Sequence, residues 1–244
     1  MKPKSPQPKR PRSAFKDPNA DTNDLRNSRN HLLPYIQSPK TATPGTVVSH
    51  DESWVLIKDA YPKSSVHLLL LPRDPRFTTL HPYDALQDAD FLAAARVEVA
   101  KAREIVAAEL RRLHGAHSAA DRPRRAAMAA DDPPEELPPG RDWEAEVIAG
   151  VHTHPSMNHM HIHVLSVDRY SERLRHRKHY NSFNTEFFVP LEKFPMETEE
   201  RERIWAMRWH EMDMMCWRCG RNFGNKFARL KEHLEEEFAA WRQE

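Results

Sequence analysis

The chain has 244 residues, enough for one medium domain and a small appendage. Its 37 Lys/Arg nearly balance 36 Asp/Glu, which argues against binding nucleic acid by bulk charge but not against a local basic patch. Twenty Pro, six Gly and two Cys exclude a disulfide framework and glycine-rich phosphate loops: no G-x-G-x-x-G or Walker-type run is present.

In chain order, residues 1–22 are Pro-rich and basic, without apolar periodicity, and read as a disordered basic tail. Residues 1–30 hold eight Lys/Arg against three Asp, and Lys9-Arg10-Pro11-Arg12 fits a nuclear-import signal, a nucleic-acid arm or simply a solvated tail. Asn23 to Gln37 reads as a short helix weakened by Pro34. Trp54–Ile57 and Val66–Leu71 are short apolar runs that read as an antiparallel strand pair. Asp84 to about Leu113 is a long amphipathic helix. Residues 114–142, rich in Ala, Pro and Asp, read as a surface insertion, with both an ordered and a disordered form open. Glu144–Val151, His159–Val167 and Phe187–Val189 complete the strands, Arg169 to Lys178 is a basic loop, and Lys226 to Arg242 is a final helix. No apolar run reaches the roughly 18 residues of a membrane span, and no signal peptide is evident, so a soluble intracellular protein is expected.

Histidine is the unusual residue. Five of the fifteen lie between His152 and His163, and His159, His161 and His163 alternate, which on a strand puts them on one face. Three readings of such a row stay open: a Zn²⁺ site, structural imidazoles bonded to backbone, or a nucleophile with neighbours that orient it and the phosphate it attacks. Near the C-terminus, Cys216-x₂-Cys219 precedes His233 and Glu237, spaced i and i+4 on one helix face; this is a strong zinc pattern, with His210 as rival fourth ligand. Arg218, Arg221, Lys226, Arg229 and Lys231 lie in an acid-free stretch from Cys216 to Lys231, a local positive face suited to DNA backbone.

The run from His159 to Leu165 (HMHIHVL) resembles the histidine-triad (HIT) family of nucleotide hydrolases and transferases. Tyr61-Pro62-Lys63, Pro155-Ser156-Met157, Asn181–Thr185 (NSFNT) and the Cys-Cys-His tail are similar to its aprataxin branch, the DNA 5′-adenylate hydrolases, over residues 24–242. The resemblance is to the fungal type, which lacks an N-terminal phosphopeptide-binding domain. It implies an α+β fold, with a HIT-like antiparallel sheet and flanking helices over 23–190, then a linker helix and a C2HE-type finger over 191–244. It implies His161 as nucleophile through a covalent AMP–histidine, His163 as its partner, His152 as the acid for the leaving group, and Ser156 and Lys63 at the phosphates. Asp59 is implied at the AMP ribose, with His67 and His159 also at the nucleotide. DNA contacts are expected from Lys63, Arg177, Lys178, Ser182, Arg218 and Lys226. A base-stack wedge is expected around Asn23–Gln37, with Leu25, Arg29 and His31 as candidates. One structural Zn²⁺ on Cys216, Cys219, His233 and Glu237 is expected, and no Mg²⁺ for catalysis. The implied partner is DNA with adenylated 5′ ends, RNA–DNA junctions included, met in the nucleus by a monomer, with no membrane and no protein partner specified. The rivals are a hydrolase of small nucleoside adenylates and a non-enzymatic zinc protein that binds nucleic acid.

Overall fold

The computed structural model describes residues 21–244; the basic stretch 9–12 and most of the expected tail lie outside them. In chain order the elements are α1 (Leu33–Gln37), β1 (Val47–His50), β2 (Trp54–Lys58), β3 (His67–Pro72), α2 (Pro75–Thr78), α3 (Pro82–Ala85), α4 (Ala89–His114), α5 (Arg122–Met128), β4 (Val147–His152), β5 (Ile162–Ser166), α6 (Arg177–Asn184), β6 (Phe188–Pro190), α7 (Thr198–Trp205) and α8 (Phe227–Trp241). The strands form one six-stranded sheet, β1-β2-β3-β5-β4-β6, and every pairing is antiparallel.

The alternation of the strands sorts their side chains to two faces. Leu56, Leu68, Leu70, Ala149, Ile162 and Val164 meet Phe91, Leu92, Ala95, Val99, Ala102, Val106 and Leu110 of α4, a buried stripe at helical spacing. On the other face Val55, Ile57, Leu69 and Leu71 are covered by Leu32 and Ile36. The rest of that face holds His67, His163 and His152, and there the site lies.

Several elements differ from the sequence expectation. The 23–37 helix is a 3₁₀ turn (Ser28–Asn30) followed by α1, and Pro34 opens α1 rather than weakening its end, because a first-turn proline forfeits no helical hydrogen bond. The long helix starts at Ala89: the Asp88 side chain accepts the Phe91 N–H at 2.9 Å and caps it there, with α3 a separate turn. Residues 114–142 are mostly exposed, yet ordered and tied to the C-terminus. Asp121 is buried and its carboxylate accepts the Arg141 N–H (2.9 Å) and the Trp143 Nε1–H (2.8 Å), while the N–H groups of Ala119 and Ala120 donate to the carbonyls of Gln243 and Glu244. Polar composition suggests disorder only when no distant partner satisfies the chain, and here the C-terminus does.

The join between β4 and β6 is close. A Cβ on Gly150 would lie 2.3 Å from the Val189 carbonyl oxygen and 2.9 Å from the Phe188 ring. Gly150→Ala is therefore expected to cost about 2 kcal/mol by forcing β6 outward, seen as a lowered midpoint in thermal unfolding. An unchanged midpoint would contradict the packing described.

Candidate active site and metal centre

The catalytic-side histidines gather at the ends of β3, β4 and β5. The His152 and His163 rings are 4.4 Å apart, those of His161 and His163 4.9 Å, and those of His67 and His163 5.2 Å. Phe183 and Phe187 wall the cluster, at 4.6 and 4.8 Å from the His152 ring. Of the three triad histidines, His163 alone is on a regular strand. β5 begins at Ile162, so strand alternation does not place all three triad residues, contrary to the 159–167 strand expected. His161 is oriented instead by its own backbone: Nδ1 lies 2.8 Å from the His159 carbonyl oxygen. A ring nitrogen facing a carbonyl carries the proton, so the lone pair of the neutral ring sits on Nε2.

A second tautomer follows the same way. The Lys63 N–H donates to His67 Nδ1 at 3.1 Å, so the His67 proton is on Nε2, which donates to His163 Nδ1 at 3.0 Å. Asp59 Oδ2 is 3.4 Å from the same Nδ1, beyond hydrogen-bond length. His163 then carries its proton on Nε2. The Nε2 atoms of His163 and His152 are buried without a hydrogen-bond partner, an arrangement natural cores avoid unless it serves a ligand. The His152 ring is hydrogen-bonded to the Ser182 backbone.

Burial holds these rings neutral. It pushes His67 down to about 4, and takes His163 and His152 well below the ordinary range, helped by the neighbouring histidines. Unfolded histidine titrates near 6.5, so the unfolded chain binds more protons below that pH. The folded state therefore keeps this stabilisation above about pH 6.5 and loses it as pH falls towards 4; His67 alone accounts for about 3 kcal/mol. Urea unfolding is expected to show stability falling between pH 6.5 and 5, with a shallower slope in His67→Gln. Equal slopes would refute the assignment.

The remaining expected residues divide. Asp59 stands beside His67, with Oδ1 accepting the Tyr61 N–H at 2.8 Å. Lys63 is nearly buried, its ammonium donating to the Tyr61 carbonyl, and burial lowers its pKa. Ser156 is exposed on the loop after β4, where its carbonyl accepts from Arg29 Nε at 3.0 Å. His67 is placed at the nucleotide by sequence, yet its side chain has no exposed surface and meets the site through His163, Phe183 and Asp59. His159 is buried and gives His161 its carbonyl. Arg177 donates to the carbonyls of Glu211 and Met212, Arg218 is paired with Glu237 and Glu244, and the Ser182 hydroxyl donates to the His179 carbonyl. Of the expected DNA contacts, Lys178, Lys226 and the paired Arg218 are exposed. Arg169, counted in the basic loop, is buried and donates to the carbonyls of Ser166 and Phe183. Leu25 and His31 are exposed, whereas Arg29 is engaged with the Ser156 loop.

Two features escape the sequence. Buried Asn30 and Asn158 bind each other (Nδ2 of Asn158 to Oδ1 of Asn30, 2.7 Å), fastening residues 21–31 to the Ser156 loop, and Phe183 and Phe187 wall the histidines. Isolated asparagines and aromatics carry no local signal for such pairings.

At the C-terminal end, one ligand atom each of Cys216, Cys219, His233 and Glu237 lie within 4.8 Å of one another. Cys219 Sγ and Glu237 Oε1 are each 3.1 Å from His233 Nε2. Tetrahedral Zn²⁺ with one thiolate and one imidazole needs a separation of about 3.6 Å, so the donor set fits the ion. Arg218 holds the other Glu237 oxygen at 2.6 Å, leaving one oxygen for metal. Gly220, with φ of +71°, makes the turn after Cys219. His210 is exposed beside Glu211 and outside the cluster, so it is not the fourth ligand.

Comparison with known proteins supplies the context. A family model for the HIT domain matches residues 40–170, and one described as a C2HE / C2H2 / C2HC zinc-binding finger matches 184–240. An aprataxin-like protein of Schizosaccharomyces pombe is 32% identical over 87% of this chain and 82% of its own. One of Saccharomyces cerevisiae is 34% identical over 85% of this chain and 94% of its own. A crystal structure of the aprataxin ortholog Hnt3 in complex with DNA superimposes with a TM-score of 0.70 at 29% identity, covering 88% of this chain and 96% of that one.

Proposed function

The chain belongs to the histidine-triad family and, within it, to the aprataxin-like proteins, and from that premise we propose how its buried histidines act. It is a DNA 5′-adenylate hydrolase of DNA repair. Its substrate is a 5′ end joined to AMP through a pyrophosphate linkage, left by abortive ligation, and its products are AMP and a 5′-phosphate that can be sealed.

The observation that carries the mechanism is the 2.8 Å contact of His161 Nδ1 with the His159 carbonyl, which aims the lone pair from Nε2. Nε2 attacks the AMP phosphorus. An N–P bond forms, the P–O bond to the DNA 5′-phosphate breaks, and His152 gives that phosphate a proton. Neutral His152 acquires this proton as the phosphate anions enter, since a nearby negative charge raises an imidazole pKa. The His163 Nε2–H, Lys63 and Ser156 stabilise charge on the phosphoryl oxygens. Water then attacks the AMP–His161 phosphorus, His152 takes the water proton, and AMP and neutral His161 are restored. Asp59 is assigned to the ribose hydroxyls, and Lys178 and Lys226 to the DNA backbone.

In the finger, Cys216, Cys219, His233 and Glu237 would hold one Zn²⁺, whose contribution is structural. Protonated and N–H donors serve the phosphates, so turnover without Mg²⁺ is expected. We place the protein in the nucleus as a monomer, acting on DNA and RNA–DNA junction ends. Among the described residues no helix is long and apolar enough to cross a membrane.

The test is AMP release from 5′-adenylated nicked DNA in EDTA by zinc-loaded protein. No release from folded protein overturns the reading. Faster release from adenylated lysine than from DNA points to a small-adenylate hydrolase. Two zinc equivalents per chain point to a metal at Asp59, His67 and His163, which also lie within metal-binding reach of one another.

A further inference from the structure

A ladder of aromatic rings leaves the histidine cluster and is used by no step above. Phe187, buried beside His152, carries Trp209 at 4.0 Å and lies parallel to His154 at 6.0 Å. His154 in turn carries Trp205 at 3.7 Å. Phe187 is covered, but Trp205 and Trp209 are only half-buried and His154 is exposed. Tryptophans that serve the core here are sealed, as Trp143 and Trp241 are at 1% exposure. Trp205 and Trp209 instead stay partly in water, Trp205 packed on His154 and His81 and Trp209 on Phe187 and His210.

The position of the ladder points to an occupant. His154 lies on the loop that runs from His152, the last residue of β4, to Ser156. At the far end, the Asn181 amide of α6 holds the Trp209 carbonyl at 3.2 Å, just before the finger. The rings therefore run from the reacting end to the finger, the parts of the molecule assigned to the substrate DNA. The cations along the way are already paired, Arg203 with Glu186, Arg208 with Glu211 and Arg201 with Asp84, so this strip is not a phosphate track. What it offers is ring surface, which suits bases whose faces are not hidden in a duplex.

We propose that Trp205, His154 and Trp209 form a stacking platform for unpaired nucleotides of DNA beside the adenylated 5′ end. The inference rests on the DNA-adenylate reading of the site. It makes adenylated ends with a single-stranded extension better ligands than blunt ones.

The experiment uses full-length zinc-loaded protein and two adenylated duplexes, one blunt and one with a short oligothymidylate extension on the complementary strand. Fluorescence anisotropy gives the ratio of the two affinities. Wild type is expected to bind the extended end roughly 10-fold tighter. Trp205→Ala/Trp209→Ala should reduce the ratio to about one, and the Phe/Phe counterpart should restore much of it. Free oligothymidylate should quench the intrinsic tryptophan fluorescence of wild type more than that of the Phe/Phe variant. Equal affinities in wild type, an advantage that survives the alanine pair, or no difference in quenching overturns the platform. Absence of AMP release from either duplex would instead defeat the enzymatic reading, while the binding ratio still scores the platform.

Discussion

Replacing His161 with alanine is expected to lower single-turnover AMP release from adenylated nicked DNA by roughly 10⁴-fold or more. The expectation follows from geometry rather than from the number of histidines. Three other imidazoles surround the site, and in His161 a backbone carbonyl holds Nδ1, which fixes the tautomer without a side-chain acceptor and leaves the Nε2 lone pair for attack. His163 is oriented from behind by His67, and its proton points toward the site, which makes it a donor to phosphate and a poor nucleophile. His163→Asn is accordingly expected to cost about 10²-fold, the scale of losing one stabilising donor. Acid quenching should trap AMP on protein in wild type and none in His161→Ala. Circular dichroism would check that the variant stays folded, since the side chain is buried. An alanine variant with wild-type turnover, or an adduct mapped to His152, would remove His161 from its role.

The fold was legible where the signal is local. The Cys-x₂-Cys and His-x₃-Glu spacings named four residues whose ligand atoms do converge, because a knuckle turn and one helical turn fix their geometry without reference to the rest of the chain. The apolar stripe of α4 was readable for the same reason. The triad was found by its spacing, but alternation was the wrong reason: the strand starts at Ile162, and backbone rather than pleat aims His161. Whether residues 114–142 are ordered was not legible because their partners, Trp241, Gln243 and Glu244, lie about a hundred residues away, and composition does not encode distance. The same holds for Asn30 with Asn158, and for Phe187 with His152, where neither partner signals its need for the other. The expected boundary at 190 follows the family pattern, yet Leu174 and Tyr180 pack in one cluster with Cys216 and Leu234. The catalytic and finger regions thus share a core.

That shared core sets the second large effect. Cys216→Ala is expected to lower the midpoint of the whole protein's thermal unfolding by 10 °C or more, not merely to loosen a terminal finger. Structural zinc contributes roughly 10–16 kcal/mol in isolated fingers, against about 5–15 kcal/mol for an entire domain. Even 3 kcal/mol of that would shift a chain of this size by about 10 °C. The loss cannot stay local, because α8 carries His233 and Glu237 together with the groups that weld it to the main core. Leu230 and Leu234 fill the finger, while Phe238 and Trp241 pack with the sheet and α4. Trp241 Nε1–H donates to Glu146 at 2.8 Å, and its carbonyl accepts Arg141 at 2.5 Å. Releasing the metal end of α8 therefore slackens residues 114–146 as well, and through β4 the seat of His152. Calorimetry of zinc-loaded wild type and of Cys216→Ala, with metal content measured on both, decides the matter. One cooperative transition displaced downward, with a parallel fall in AMP release, is the expected result. A variant that has lost its zinc but unfolds at the wild-type temperature would show that the hydrophobic contacts of α8 hold the finger without the ion.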